Sequence, residues 1–189
     1  MAPRPRPIRR PDRPGQPRLG GVLILLYPRD GELYFVLTQR PEYNGVHSGQ
    51  ISLPGGKHEG DETMIDTALR ETCEEVGVCE GIEVLGTLAE LYIPPSDFEV
   101  HPVVGYIPQR PTWHPDALEV AGIIETPLRL LFDDSIKGNE AVFRADVNMT
   151  LNIYFYLIEG RKVWGATAAI LSEFEGRLRA ALNLPFTAV

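Results

Sequence analysis

Residues 56–78 read GKHEGDETMIDTALRETCEEVGV, and the segment RETCEEVG, Arg70 to Gly77, sets Glu71, Glu74 and Glu75 within about one helical turn. The spacings are i,i+3 and i,i+4, so the three carboxylates share one side of the helix. Like charges there cost a helix roughly 0.2–0.5 kcal/mol per pair. Either a cation compensates the repulsion or the run is a solvated acidic face. The helix itself is well signposted. Thr63 and Asp66 have the spacing of a capping box, Ile65, Ala68, Leu69, Thr72 and Val76 recur at helical spacing, and Gly77 can end the helix in the left-handed conformation. The glutamates fall on a different arc from that stripe and are expected to project away from the core, beside the glycine loop that feeds the helix.

A hard dication such as Mg2+ answers the repulsion directly. It takes oxygen ligands in near-octahedral geometry, commonly carboxylates together with substrate phosphate oxygens and water. A backbone carbonyl at Gly56 could add a neutral ligand, because glycine lets the chain approach closely. Metals bridging a phosphate chain would polarise phosphorus and stabilise the leaving oxygen.

Outward from this helix, GGVLILLYP and GELYFVLTQR read as a strand pair turning at RDG. PEYNGVHSGQISLPGGKHEGDE is a long glycine-rich and polar stretch, uncommon inside a compact domain unless it carries function. IEVLGTLAELYI and FEVHPVVGYIP are further strands on either side of the stiff connection PPSD. LEVAGIIETPLRLLF ends in a short helix from about Pro127, LNIYFYLIEGRKVWG is a hairpin turning at EGRK, and TAAILSEFEGRLRAAL is a closing amphipathic helix. Strands interleaved with two principal helices predict an α/β fold, a mixed sheet covered on both faces.

The 189 residues suffice for one domain with a sizeable core. The formal charge is -8, unevenly spread. Residues 1–20 hold six arginines against Asp12, a net +5, which leaves -13 for the remainder. An acidic body argues against nucleic acid as a partner. Residues 1–19 are expected to be a flexible Pro/Arg-rich tail and residues 20–189 the folded domain. No run approaches the roughly 18 apolar residues of a membrane span, and the N-terminus lacks a signal-peptide core. Cys73 and Cys79 do not have a zinc spacing, so reduced thiols in a cytoplasmic protein are the expectation.

The stretch Gly56–Val78 resembles the Nudix box, Gly-x5-Glu-x7-Arg-Glu-U-x-Glu-Glu-x-Gly-U, with U a bulky aliphatic residue. Gly56, Glu62, Arg70, Glu71, Glu74, Glu75, Gly77 and Val78 match, and Thr72 departs at the first U. The resemblance implies a Nudix-type α/β/α sandwich and hydrolysis of a nucleoside diphosphate linked to another moiety. It implies Mg2+ or Mn2+ held by Glu71, Glu74, Glu75 and the Gly56 carbonyl. Arg70 is expected to orient a box glutamate and Glu62 to support the loop. In some relatives the first glutamate of the Arg-Glu pair is the general base, and in others a carboxylate from a later loop; Glu119 is the candidate for the latter.

Upstream, VLTQRPEYNGVHSGQISLPGGK resembles the signature of the coenzyme A pyrophosphatase branch at Leu37, Thr38, Arg40, Gly49, Pro54, Gly55 and Gly56. It departs at Val36, Pro41, Gly45 and Leu53; Gly45 stands where that signature has an arginine able to pair with a phosphate. The implied substrate is coenzyme A or an acyl derivative, cleaved to 3',5'-ADP and a phosphopantetheine. The rivals are ADP-ribose, a dinucleotide or a modified nucleoside triphosphate, and, from another class, a nucleotide sensor without hydrolysis. Arg40 is the best-placed cation for a phosphate, with Gly55, Lys57 and Ser96 as further substrate-binding candidates. His47 and His58 could touch substrate or brace the loop, and Trp164 could stack on an adenine or pack between strand and helix. Pairing of such domains is common in the family, which leaves a homodimer open.

Overall fold

A computed structural model describes residues 15–42, 48–144 and 149–185 of the chain. Strand β1 (Arg18–Arg29) carries five consecutive buried residues, Leu23 to Tyr27. Such a run has no solvated face and belongs at the centre of a sheet covered on both sides. It lies parallel to β7 (Phe98–Tyr106), in register from Arg18 opposite Phe98 to Leu26 opposite Tyr106. Its other edge is shared. The first part pairs with β4 (Gly55–Lys57) and the last part with β2 (Glu32–Gln39), both antiparallel.

The rest of the mixed sheet follows from those pairings. β2 also pairs with β3 (Ile51–Ser52) and with β8 (Gly122–Pro127), while β5 (Glu83–Thr87) and β6 (Leu91–Ile93) both lie against β7. Helix α1 (Met64–Val76) packs on β1, where Ala68, Val76 and Val78 join Leu23, Leu25, Tyr27, Val36 and Val103 in one core. The close approach depends on Gly21. A Cβ there would stand 2.6 Å from the Met64 carbonyl oxygen and 2.8 Å from the Ala68 nitrogen. Thr72 is fully buried in the same stripe, and its hydroxyl donates to the Ala68 carbonyl at 2.7 Å, so the residue that departs from the motif packs without an orphaned polar atom.

The described residues divide into two compact units, one ending at Leu128 and the other beginning at Arg129. The second is an antiparallel sheet in the order β11 (Arg161–Trp164), β10 (Met149–Ile158), β9 (Lys137–Arg144), with helix α2 (Gly165–Ala181) on β10 and β11. The hairpin turns at Glu159 and Gly160, both with positive φ, as the EGRK reading requires. Buried Glu175 on α2 accepts from Lys137 Nζ, Tyr156 Oη and Arg179 Nε.

Four details differ from expectation. Two short strands, β3 and β4, cross the glycine-rich stretch, because backbone pairing with β2 and β1 is open to glycine. The segment 82–93 is broken into β5 and β6, with a register shift between Val84 and Gly86. After Pro127 the expected short helix is present, of the 3-10 kind at Leu128–Phe132, and a second 3-10 turn that the sequence did not announce follows at Asp134–Ile136. Finally, KGNEAVFR forms β9, an edge strand whose polar, glycine-containing sequence has little strand signal; Gly138 is where the Phe155 ring lies across the sheet.

Candidate active site

Helix α1 begins and ends as its sequence predicts. Thr63 is the N-cap: its Oγ1 accepts from the Asp66 N–H at 3.1 Å, and Asp66 Oδ2 accepts from the Thr63 N–H at 3.0 Å. Gly77, at φ 77°, closes the helix with its N–H on the Cys73 carbonyl. Thus the three glutamates occupy the C-terminal half of a helix fixed at both ends.

Arg70 organises the near side of the site. Its Nε and Nη2 make a forked pair with the two carboxylate oxygens of Glu62 at 3.0 and 2.9 Å, and Nη2 also donates to the Lys57 carbonyl. Nη1 donates to Glu71 Oε1 at 3.0 Å and to Glu74 Oε2 at 2.9 Å. Glu62 further accepts from the Glu59 N–H and the Thr67 hydroxyl, and the Arg70 hydrogen bonds lead in holding its carboxyl down at about 2. His58 Nε2 meets the Glu62 carbonyl at 2.7 Å. Glu62 and His58 therefore brace the loop against the helix.

The glutamates do not all project into solvent as expected. Glu74 is exposed at 58% of its side chain, Glu71 at only 14%, and Glu75 is 4% exposed. The reason is β4, which runs past this side of α1. The Gly55 N–H donates to Glu75 Oε2 at 3.2 Å, and a Cβ on Gly56 would fall onto the Glu71 carboxylate. Only glycine backbone fits there. Burial pushes the Glu75 carboxyl up to about 7, with the Glu71 and Glu119 charges adding to it against the Gly55 N–H and Arg40. Burial likewise raises Glu71, and Glu74 and Glu119 contribute, although Arg70 opposes them.

This donor set suits a hard dication: two carboxylates held up by burial and mutual repulsion, a third beside them, and glycine backbone at contact distance. In the arrangement described, Glu71 and Glu74 are turned to Arg70 and Glu75 to Gly55. Among the described residues no three acidic, histidine or cysteine side chains converge on one point.

Arg40 and Glu119, from distant parts of the chain, each come close enough for their charge to act on the Glu75 carboxyl. Arg40 follows the end of β2, its backbone N–H on the Gln50 carbonyl, and its side chain is half-buried. Lys57 has an exposed side chain at the end of β4. Ser96 lies in the turn between β6 and β7, where its hydroxyl donates to the Ile93 carbonyl. Trp164 does not pack between strand and helix. It is 40% exposed in the second unit, since alternation along β11 turns Val163 inward and Trp164 outward. His47 and Gly45 lie outside the described residues.

Two features escaped the sequence reading. Cys73 and Cys79 form a disulfide, correcting the expectation of reduced thiols. The left-handed residue Gly77 reverses the chain and brings the two Cα atoms to 4.4 Å. Also, residues 113–121 are seated on the C-terminal end of α1: the His114 N–H donates to the Val76 carbonyl and the Asp116 N–H to the Glu75 carbonyl. His114 covers Gly77 so closely that a Cβ there would stand 2.6 Å from its own. The only sequence signal for this contact is the glycine.

The family model of the NUDIX domain matches residues 17–119, from the start of β1 to Glu119. The uncharacterized Nudix hydrolase NudL of Yersinia enterocolitica is 39% identical over 152 residues, 79% of this chain and 76% of that protein. Its Yersinia pestis counterpart is 35% identical over 156 residues, 82% of this chain and 76% of that protein. Among solved structures, the Nudix hydrolase RenU of M. smegmatis superposes with a TM-score of 0.58 at 18% identity, covering 93% of this chain and 92% of RenU. The MutT protein of Methanosarcina mazei Go1 gives 0.55 at 17% identity, covering 87% and 96%. The matched segment takes in the capped glutamate helix, the glycine strand against it and most of the sheet that carries both, and the chain belongs to the Nudix hydrolase family.

Proposed function

We propose that this Nudix pyrophosphohydrolase, an enzyme acting on nucleoside diphosphate derivatives, cleaves coenzyme A or an acyl-coenzyme A into 3',5'-ADP and the (acyl-)4'-phosphopantetheine. Residues 20–189 are read as its Nudix domain. The observation that carries the reading is the position of Arg40. The upstream signature has this arginine just past the end of β2, close enough for its charge to act on Glu75 of the glutamate helix. A cation beside the metal-binding carboxylates is where a diphosphate oxygen needs one.

Glu71, Glu74, Glu75 and the Gly56 carbonyl are the residues that would hold Mg2+ or Mn2+. When bound, the dication supplies positive charge to the phosphate oxygens and lowers the pKa of water at the site. Arg40 binds the diphosphate and orients it, and Gly55, Lys57 and Ser96 border it. Arg70 positions Glu71 and Glu74. Glu119, exposed and close to Glu71 and Glu75, takes the proton of the attacking water as its oxygen bonds to one phosphorus. The bond from that phosphorus to the bridging oxygen breaks, and the second phosphate leaves.

The test is product identification by mass spectrometry after incubation with Mg2+ and, separately, coenzyme A, ADP-ribose and dinucleotide polyphosphates. Fastest release of 3',5'-ADP and 4'-phosphopantetheine from coenzyme A is the expected result. Faster cleavage of another compound would overturn the substrate and keep the chemistry. No turnover of any of them would leave a nucleotide-binding protein.

A further inference from the structure

The stretch that delivers Glu119 has an unusual construction. Residues 114–119 are all exposed, and Leu118, next to the candidate base, is 87% exposed. Side chains this exposed contribute little to setting the shape of the turn. Hydrogen bonds set it, and most of them meet at one residue. The Asp116 carboxylate oxygen Oδ1 accepts from the Leu118 N–H at 2.8 Å, and the Asp116 carbonyl accepts from the N–H groups of Glu119 at 3.1 Å and Val120 at 2.8 Å. The Asp116 N–H in turn donates to the carbonyl of Glu75 at 3.1 Å, the very residue whose carboxylate lies in the site.

The two ends of the segment are tied down independently. Upstream, Arg110 makes a forked pair with Glu125 at 2.8 and 2.6 Å, and Trp113 stands edge-on to Tyr27 with ring centres 5.4 Å apart. Downstream, the Ala121 N–H donates to the Gln39 carbonyl at 2.8 Å, one residue before Arg40, and Val120 is buried. With both ends held, the remaining freedom is the shape of the exposed turn between them. A side-chain oxygen accepting from the N–H two residues on is the standard way for aspartate to fix such a turn.

We propose that Asp116 is a positioning residue for hydrolysis, whose carboxylate shapes the turn that aims Glu119 and whose backbone fixes that turn to the end of the glutamate helix. This rests on reading Glu119 as the general base. A turn that carries its base 1 Å away from the attacking water loses rate without losing substrate, because Asp116 itself touches neither.

The experiment compares wild type, Asp116→Ala, Asp116→Asn, Glu119→Gln and the Asp116→Ala/Glu119→Gln double variant, in Mg2+, on the substrate cleaved fastest in the product screen. It measures kcat and KM, with a thermal melt of each protein. Asp116→Ala is expected to lower kcat about ten- to hundredfold with KM nearly unchanged. Asp116→Asn, which keeps an acceptor at Oδ1, recovers most of that loss. In the double variant, Asp116→Ala adds nothing to Glu119→Gln, since there is no base left to aim. Wild-type kcat in Asp116→Ala beside an impaired Glu119→Gln overturns the positioning role and leaves the base. So does a loss in Asp116→Asn equal to that in Asp116→Ala, or an undiminished further loss in the double variant. Full activity in Glu119→Gln overturns the base, and this proposal with it, while the pyrophosphatase reading stands.

Discussion

Burying the Glu75 carboxyl works against the fold, and the structure gives a size for that cost. The carboxyl rises from an ordinary 4.5 to about 7, chiefly by burial, and the residue is 4% exposed, so solvent screens little of the effect. That rise corresponds to about 3 kcal/mol. The folded chain binds the proton more tightly than the unfolded one, so the stability this group contributes is fully present below pH 4.5 and is lost as pH rises towards 7. Glu75→Gln keeps an oxygen for the Gly55 N–H and cannot ionise. Urea unfolding in the presence of a chelator should therefore find Glu75→Gln more stable than wild type by about 1 kcal/mol at pH 5 and about 3 kcal/mol at pH 8. Mg2+ should reverse the order at pH 8, because only wild type gains full binding energy from the ion. A Glu75→Gln protein no more stable than wild type at pH 8 in chelator would refute the reasoning, since the carboxylate would then be well paired without a metal.

Glu74→Gln, whose side chain is mostly in solvent, is expected to melt within a degree or two of wild type and to lose at least tenfold in kcat with Mg2+; a folded variant with full turnover would remove Glu74 from the metal set. Gly56→Ala places a methyl where the Glu71 carboxylate lies, and should weaken Mg2+ binding measured by titration calorimetry; unchanged Mg2+ affinity would take the Gly56 backbone out of the site. Reducing the Cys73–Cys79 bond, or replacing Cys79 by Ser, reopens a loop with sequence separation 6 and should cost about 2 kcal/mol, read as a lower melting temperature. Identical melts with and without a dithiol would contradict that bond.

The helix was legible because its signals are local. A cap, a stripe with a period of 3.6 and a left-handed glycine all lie between Thr63 and Gly77, and the structure uses each of them. What the same residues touch was not legible. Glu75 and Glu74 are neighbours of one type, yet one is buried and the other in solvent, a difference set by β4, which reaches α1 only through its pairing with β1. Glu119 could be singled out by its place in the chain, but its partner contacts come from a loop whose exposed residues carry no periodic signal. The strand β9 was missed for a related reason: KGNEAVFR is edge sequence, and edges are written to avoid strand character.

The long parallel pairing at the centre of the sheet governs when this site can come into being. Arg18 opposite Phe98 closes a separation of 98 minus 18, or 80 residues. The β1–β2 hairpin and α1 need only short-range closures, whereas the β1–β7 ladder must overcome the entropy of a long loop before any of its bonds form. A chain emerging from the ribosome therefore has its glutamate helix early, with one edge of β1 unpaired until β7 arrives. The turn bearing Glu119 lies further downstream still. The candidate metal ligands, all upstream of β7, thus come together before the turn that carries the candidate base, so nascent chains are expected to acquire affinity for Mg2+ before they acquire turnover.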